Sequence, residues 1–162
     1  MRHAAAHDRD PDRWPDDALR PLTPEGEENF RHSAAGLARL APRADALLSS
    51  PYERAWRTAE ILAELEGWPD PKPATLLEPT LPPEKAAAAL EPYAGAAAVA
   101  VVGHRPCLHE LVSYLLTGDA GGAEITIKKG GVVCVRFGDA IAPGEGQLRW
   151  LATPKILRAM AD

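Results

Sequence analysis

The 162-residue sequence predicts an α/β fold, a three-layer sandwich with a mostly parallel central sheet and helices on both faces. Segments typical of strands and of helices alternate along most of the chain, as in a parallel sheet with crossover helices. The run "AAVAVVG" at residues 97–103 is continuous, small and apolar, which is typical of a strand buried on both faces. Such a sheet places a functional site at the carboxyl ends of its strands.

The first helix has a clear start signal. Residues 7–22 are rich in Asp, Pro and Arg without periodicity and are predicted to be a loop. The helix expected over 23–41 has Thr23 as its N-cap, Pro24 at its first position and acidic residues in its first turn.

The second helix follows a predicted strand, "DALLSS", at residues 45–50. Ser50 and Glu53 have the spacing of a capping box, and Pro51 suits the first helical position. We therefore expect this helix to begin at Ser50 and to stop at Gly67.

The second half of the chain continues the alternation. After a Pro-rich connection, the predicted elements are a short strand at 74–78, a short helix at 83–94, the buried strand at 97–103, a helix at 106–118, strands within 124–138 that turn at the paired glycines, a strand at 146–152 and a helix at 153–161.

Composition predicts a single domain over residues 1–162. The net charge of −5 argues against nucleic acid as a partner. No run approaches the about 18 apolar residues of a membrane span, and no signal-peptide pattern is present, so we expect a cytoplasmic protein that does not bind membranes. Cys107 and Cys134 are interpreted as reduced core thiols, and no Cys or His spacing predicts a metal site.

Four residues are expected to meet at one edge of the sheet. Arg2 and His3 lead into the first loop, Arg54 lies in the first turn of the second helix, and His104 directly follows "AVAVVG". The helix start at Ser50 would add its positive dipole end. Guanidinium groups match phosphate oxygens, a neutral imidazole attacks phosphorus, and a second imidazole can donate a hydrogen bond. The pattern indicates a phosphoryl site that requires no metal or other cofactor.

These segments carry a family resemblance. The motifs "RHA", "RPLTPEG", "SSPYERAWRTAEIL", "VVGHRP" and "TPKILR", in this order, resemble the histidine phosphatase superfamily, branch 1, and within it the small phosphohistidine phosphatases similar to SixA. The resemblance spans Arg2 to about Arg158. It implies that His3 is the nucleophile that becomes transiently phosphorylated, that Arg2, Arg54 and His104 bind the phosphoryl group, and that Arg20 helps to bind substrate at the rim.

The chain departs from the family at its start. The family has an apolar strand immediately before its Arg-His pair, whereas here only Met1 precedes Arg2. We expect that the true start lies upstream and supplies this first strand. Without it, the sheet is expected to have an empty position, and His3 is expected to lie on a frayed terminus with weak activity.

The general acid is the second departure. Mutase-like relatives supply a carboxylate after the third strand, and the nearest candidate is Glu78 in "LLEPTLPP", with Glu84 as a weaker alternative. A phosphoramidate substrate tolerates the lack of such an acid, because a histidine nitrogen leaves more readily than an alkoxide.

Three functions remain open at this point. The favoured one is a metal-independent phosphatase that dephosphorylates phosphohistidine on a protein, since the chain lacks insertions that would form a cap over a small substrate. The second is a small-molecule phosphomonoesterase acting on a phosphate ester, which a functional Glu78 would support. The third is a catalytically silent binding or scaffold domain of the same fold. The sequence leaves the oligomeric state open.

Other polar residues are interpreted as bystanders. His7, His32 and His109 are assigned no role, Lys128 and Lys129 are interpreted as solvated turn lysines in preference to residues at the pocket edge, and Arg105 contacts either substrate or solvent.

Overall fold

A computed structural model describes residues 1–161 of the chain and has the predicted α/β fold. Three strands form a parallel sheet in the order β2, β1, β3, with β1 at Ala46–Ser49, β2 at Pro71–Pro73 and β3 at Val99–Val102. Strands β4 (Val132–Arg136) and β5 (Gln147–Ala152) pair antiparallel in a second sheet. The helices are α1 (Pro24–Leu40), α2 (Glu53–Ala63), α3 (Pro83–Ala88), α4 (Cys107–Thr117) and α5 (Pro154–Ala161).

Helices cover both faces of the parallel sheet, as predicted. Leu47 of β1 belongs to an apolar cluster with Leu62 of α2 and Leu157 of α5. The next residue, Leu48, belongs to a second cluster with Leu111 of α4. Because successive side chains of a strand point to opposite faces, the two clusters lie on opposite sides of the sheet and complete three layers.

Helices α1 and α5 begin where the sequence predicts. The Thr23 hydroxyl oxygen accepts a hydrogen bond from the Gly26 amide at 2.9 Å, which caps α1. The two helices pack closely, since a Cβ on Gly36 would collide with the backbone carbonyl of Leu157. Among residues 1–161, no helix combines the length and the hydrophobicity that a membrane crossing needs.

The two middle helices agree with the sequence to different degrees. The helix predicted at 83–94 is shorter, because α3 ends at Ala88 and a 3-10 turn follows at Glu91–Tyr93. Helix α4 is confirmed. It ends before Gly118, whose φ of +79° is the left-handed conformation expected of a C-terminal glycine.

The prediction that α2 begins at Ser50 is wrong. The helix begins at Glu53, and no side chain caps it. The Ser50 hydroxyl is instead hydrogen-bonded to Nε2 of His104 at 2.9 Å, so this side chain serves the site and not the helix. The helix also ends earlier than predicted, at Ala63, and a turn leads on to Gly67 with a φ of +80°.

The strand predicted at 74–78 is wrong as well. Residues Thr75–Leu77 form a 3-10 turn, and the strand is the preceding Pro-rich segment, β2. Strand β2 pairs with β1 alone and forms one edge of the sheet. Proline lacks an N–H donor, and an edge position tolerates this because its outer side needs no ladder partner.

Only one of the strands predicted around the paired glycines is present. Strand β4 follows them, whereas residues 124–129 form no strand. The backbone of this segment forms hydrogen bonds with side chains instead. The Ile127 carbonyl accepts a hydrogen bond from Arg2 at 3.1 Å, and the Ile127 amide donates to His109 Nε2 at 3.3 Å.

An apolar cavity of about 560 Å³ separates the two sheets. Its walls include Val99 and Val101 of β3 and Val133 and Val135 of β4, which are edge strands of their sheets. The prediction that the strand at 97–103 is buried on both faces is therefore wrong, because its residues before Val102 are only half-buried. The sequence predicts that the strands beside the Arg-His pair lack a ladder partner. Within residues 1–161, β3 and β4 are edge strands that face the cavity, which agrees with this expectation.

The first three residues bridge the two sheets at one end of this cavity. Three backbone contacts hold them: the Met1 amino group donates to the Val101 carbonyl at 2.8 Å, the Arg2 amide to the Gly131 carbonyl at 3.1 Å and the His3 amide to the Gly103 carbonyl at 3.0 Å. The expectation that His3 lies on a frayed terminus is therefore wrong, since hydrogen bonds fix the backbone on both sides.

Candidate functional site

A cavity of about 270 Å³ lies at the carboxyl ends of the parallel strands. The structure brings five of the six predicted site residues to its wall, and the ring centroids of His3 and His104 lie 5.2 Å apart. The lining consists of Arg2, His3, His7, Asp8, Arg9, Arg20, Arg54, His104, Arg105 and Lys129. Six of these ten residues are Arg or Lys and one is acidic, so the cavity favours an anion.

Neighbouring elements hold the His3 backbone in place. The Thr58 hydroxyl of α2 accepts a hydrogen bond from the Ala4 amide at 3.0 Å. The Gly130 amide donates to the carbonyls of both Arg2 and His3, at 3.1 and 2.9 Å. Gly130 has a φ of +75°, which glycine adopts without the strain that other residues incur.

The His3 ring is set up as a neutral base. Its Nδ1 lies 2.7 Å from the Ala4 carbonyl, which can only accept, so Nδ1 carries the proton and Nε2 keeps its lone pair. Burial lowers the pKa of His3 to about 3, and the charges of Arg54 and Arg2 contribute in the same direction. His3 is therefore uncharged at neutral pH.

His104 has one partnered and one unpartnered nitrogen. Its Nε2 is hydrogen-bonded to the Ser50 hydroxyl at 2.9 Å, whereas its Nδ1 is buried without a partner. Burial lowers the pKa of His104 to about 2, with smaller contributions from His3 and Arg54. The edge of its ring packs against Tyr52, with centroids 5.1 Å apart.

Both predicted phosphate-binding arginines have an unused nitrogen. Arg2 donates from Nη1 to Ile127, and Arg54 donates from both Nη atoms to Asp17, yet the Nε of each is buried without a partner. Within residues 1–161, the buried side-chain nitrogens and oxygens that lack a partner are these two Nε atoms and His104 Nδ1. Buried polar groups in proteins are rarely unpaired, and all three belong to residues that line the same cavity as His3, which suits a site for an oxygen-rich ligand.

Asp17 pairs with two arginines of the cavity wall, and sequence reasoning did not identify it. Its Oδ2 accepts from Arg54 at 3.0 Å and its Oδ1 from Arg20 at 2.8 Å. The available signal was physical: a buried arginine needs a counter-charge, and the loop at 7–22 is rich in aspartate. Local sequence did not indicate which aspartate supplies it.

Two residues interpreted as bystanders line the cavity. His7 and Lys129 are on its wall, contrary to the sequence interpretation, although the Lys129 side chain is exposed. His109 instead contacts the backbone of Ile127.

The structure does not bring the predicted general acid to the cavity. Among the described residues, Glu78 is half-buried behind the 3-10 turn at Thr75–Leu77 and is not part of the lining. Glu84 is exposed in the first turn of α3 and is not part of it either. No three His, Cys, Asp or Glu side chains within residues 1–161 are grouped as a metal site requires.

The two buried histidines predict a pH-dependent stability. The pKa of each histidine is lower in the folded state than in the unfolded chain. As the pH falls from 6.5 towards 3, the unfolded chain therefore binds protons that the folded state does not bind. We expect the free energy of unfolding to fall between pH 7 and pH 5 by about 2 kcal/mol for each histidine. Urea titrations at pH 7 and pH 5 measure this difference. In a His104→Gln variant, the fall in the free energy of unfolding should be about half of the fall attributed to the two histidines together. Equal pH dependence in both proteins would contradict it.

A family model described as histidine phosphatase superfamily (branch 1) matches residues 1–78. A curated protein of Picosynechococcus sp. (strain ATCC 27264 / PCC 7002 / PR-6), itself named an uncharacterized protein, is 35% identical over 161 residues. The alignment covers 97% of this chain and 96% of that relative.

Solved structures are similar over nearly the whole chain. The structure of the protein histidine phosphatase SixA complexed with tungstate has a TM-score of 0.82 and 25% identity, with 96% of this chain and 95% of that chain covered. The alpha-ribazole phosphatase from Shigella flexneri has a TM-score of 0.73 and 17% identity, with 95% of each chain covered. At the lower identity the likeness shows the fold alone.

Proposed function

We propose that this chain, which belongs to the histidine phosphatase superfamily (branch 1), is a metal-independent phosphatase that acts through a phosphohistidine at His3. The observation that carries the proposal is that Arg2 Nε, Arg54 Nε and His104 Nδ1 are buried without a partner in residues that line the same cavity as the neutral imidazole of His3. The proposal assigns the activity to one domain over residues 1–162 acting in the cytoplasm, with neither nucleic acid nor a membrane as partner.

In the first step, Nε2 of His3 attacks phosphorus. The Nε2–P bond forms while the bond from phosphorus to the leaving group breaks, and the leaving atom takes up a proton from solvent. Arg2 and Arg54 donate hydrogen bonds to the phosphoryl oxygens, where negative charge is concentrated in the transition state. The Nδ1–H bond to Ala4 stabilises the positive charge that develops on the His3 ring.

In the second step, water attacks the phosphorus of phosphohistidine. The Nε2–P bond breaks, inorganic phosphate leaves, and His3 returns to its neutral form with Nδ1 protonated. His104 assists both steps in this proposal. The Ser50 hydroxyl can donate to Nε2, which leaves Nδ1 to carry a proton and donate it as a hydrogen bond to a phosphoryl oxygen.

Phosphohistidine on a protein is the proposed substrate. Its leaving nitrogen needs little acid assistance, which suits a cavity whose wall has no Glu78. The structural relative with the TM-score of 0.82 is a protein histidine phosphatase, which supports this substrate class. The second candidate is a small phosphate ester, because a cavity wall rich in arginine suits a phosphoryl group whatever its leaving group.

The test is release of inorganic phosphate with EDTA present, from a phosphohistidine-bearing protein and, separately, from a small phosphomonoester. We expect turnover of the phosphohistidine to exceed that of the ester. Faster turnover of the ester would favour the second candidate, and no turnover of either substrate would favour a binding domain of the same fold.

The position of Glu78 predicts the effect of its substitution. Glu78→Gln should change kcat/KM for the small phosphomonoester, whose alkoxide leaving group needs an acid, by less than about threefold, because this carboxyl lies off the cavity wall. Initial rates of phosphate release measure it, with Glu84→Gln as the matched control. A loss of about a hundredfold, specific to Glu78→Gln, would restore Glu78 as the general acid.

A further inference from the structure

We propose that Asp17 is a positioning residue that holds the guanidinium groups of Arg54 and Arg20 in the orientation in which they bind a phosphoryl group. This inference rests on the proposed function and deepens it, since nothing in the family comparison assigns Asp17 a role.

Asp17 engages Arg54 through two separate atoms. The Asp17 carbonyl accepts from Nη1 at 2.7 Å, and its carboxylate Oδ2 accepts from Nη2 at 3.0 Å. The Arg54 side chain is only 4% exposed, and these contacts occupy the distal edge of its guanidinium. The planar group is thereby fixed in one orientation at the cavity wall, because rotation would break both bonds.

The same carboxylate also fixes a second arginine. Asp17 Oδ1 accepts from Arg20 Nε at 2.8 Å, and Arg20 Nη1 donates to the His7 carbonyl. Arg20 thus reaches the cavity wall with two anchors. The Asp17 carboxylate thus binds both guanidinium groups, which would otherwise repel each other.

Charge supports the same role. Burial lowers the pKa of Arg54, and Arg20 adds to this, while Asp17 opposes both. Although its own burial acts to raise the pKa of Asp17, the hydrogen bond from Arg20 and the charge of Arg54 lower it overall. Asp17 therefore remains ionised at neutral pH and supplies the counter-charge that a buried guanidinium needs.

Asp17 is placed to position and not to compete with a ligand. It is absent from the cavity lining, although both arginines belong to it. A phosphoryl group in the cavity can therefore bind Arg54 without displacing the carboxylate. The segment is itself well held, because Asp17 begins a 3-10 turn whose N-cap, Asp16, accepts from the Ala18 amide at 2.9 Å.

The test compares Asp17→Asn with Asp16→Asn, a neighbouring substitution of the same type that keeps an oxygen to accept from the Ala18 amide and has no arginine contact in the described residues. Orthophosphate is the probe for binding, measured by calorimetry, and phosphohistidine turnover gives kcat and KM. For Asp17→Asn we expect orthophosphate binding to weaken about tenfold and kcat to fall by about ten- to a hundredfold, because misplaced groups lose catalysis steeply. Asp16→Asn should change each by less than about twofold.

The outcomes separate this inference from the proposed function. If the wild-type chain turns over no substrate, the proposed function fails, but the orthophosphate comparison still decides the role of Asp17. Unchanged or tighter orthophosphate binding by Asp17→Asn would overturn the inference, since it would make the carboxylate a competitor or a bystander. If Asp17→Asn does not fold, the comparison moves to a background that carries both Arg54→Ala and Arg20→Ala, where Asp17→Asn should add less than about threefold to the loss of binding. A full additional tenfold loss there would also overturn it.

Discussion

Replacing His3 by alanine is expected to abolish phosphate release from a phosphohistidine substrate, by at least about a thousandfold in kcat. Nε2 of His3 keeps a lone pair on the cavity wall, whereas Arg2, Arg54 and His104 are proposed to bind charge without forming a bond to phosphorus. The variant should still bind orthophosphate, because Arg2 and Arg54 keep their places.

The matched control is His32→Ala, which removes an exposed histidine of α1 that does not line the cavity. It should retain turnover within about fivefold. A phosphorylated intermediate trapped by rapid acid-free quenching in the wild-type chain, and absent from His3→Ala, would identify the nucleophile. Full activity of His3→Ala would refute the two-step mechanism and move attack to water.

Adding four apolar residues such as Val-Leu-Val-Val before Met1 is expected to raise Tm by about 10 °C, a net gain of a few kcal/mol. The bridge between Arg2 and Gly103 is parallel, so the added residues would continue alongside β3. Strand β4 begins beside Arg2 and runs away from the site, so the four added residues would run antiparallel to β4. The extension would thus pair with two edge strands and fill the 560 Å³ cavity.

The amino group of Met1 adds to this expectation. Burial lowers its pKa to about 5, so the unfolded chain binds a proton at neutral pH that the folded chain does not, and folding is disfavoured. An amide at this position would keep the hydrogen bond to Val101 without that penalty.

A polar extension of equal length, Ser-Pro-Ser-Gly, is the control, since it can neither fill an apolar cavity nor complete both ladders. The apolar extension alone should slow hydrogen exchange at the amides of β3 and β4. Equal Tm values for the two extensions would show that these edges do not accept a strand.

The helices show how far local signals reach. Thr23 and Pro24 predict the start of α1 because a cap depends on residues within one turn. The same reasoning fails at Ser50, where the hydroxyl is used by a histidine 54 residues away. A capping pattern is reliable only when no distant group needs the same atoms.

The strands show the corresponding limit for sheets. The apolar run before Gly103 identifies β3, but its continuous small apolar side chains predict burial on both faces, whereas three of its four residues are only half-buried. The prolines of β2 argue against a strand when the sequence is read alone. Only the sheet order shows that the segment lies at an edge, where a strand tolerates proline.

By itself, the sequence determined the fold class, the order of the main elements and the convergence of Arg2, His3, Arg54 and His104, because parallel strands bring their carboxyl ends to one edge. The resemblance to the family added Arg20. The tertiary structure alone decided the proton position on His3, the exclusion of Glu78 from the wall and the choice of Asp17 as counter-ion. These depend on burial and on contacts between residues far apart in sequence, such as the 37 positions between Asp17 and Arg54, which no local pattern encodes.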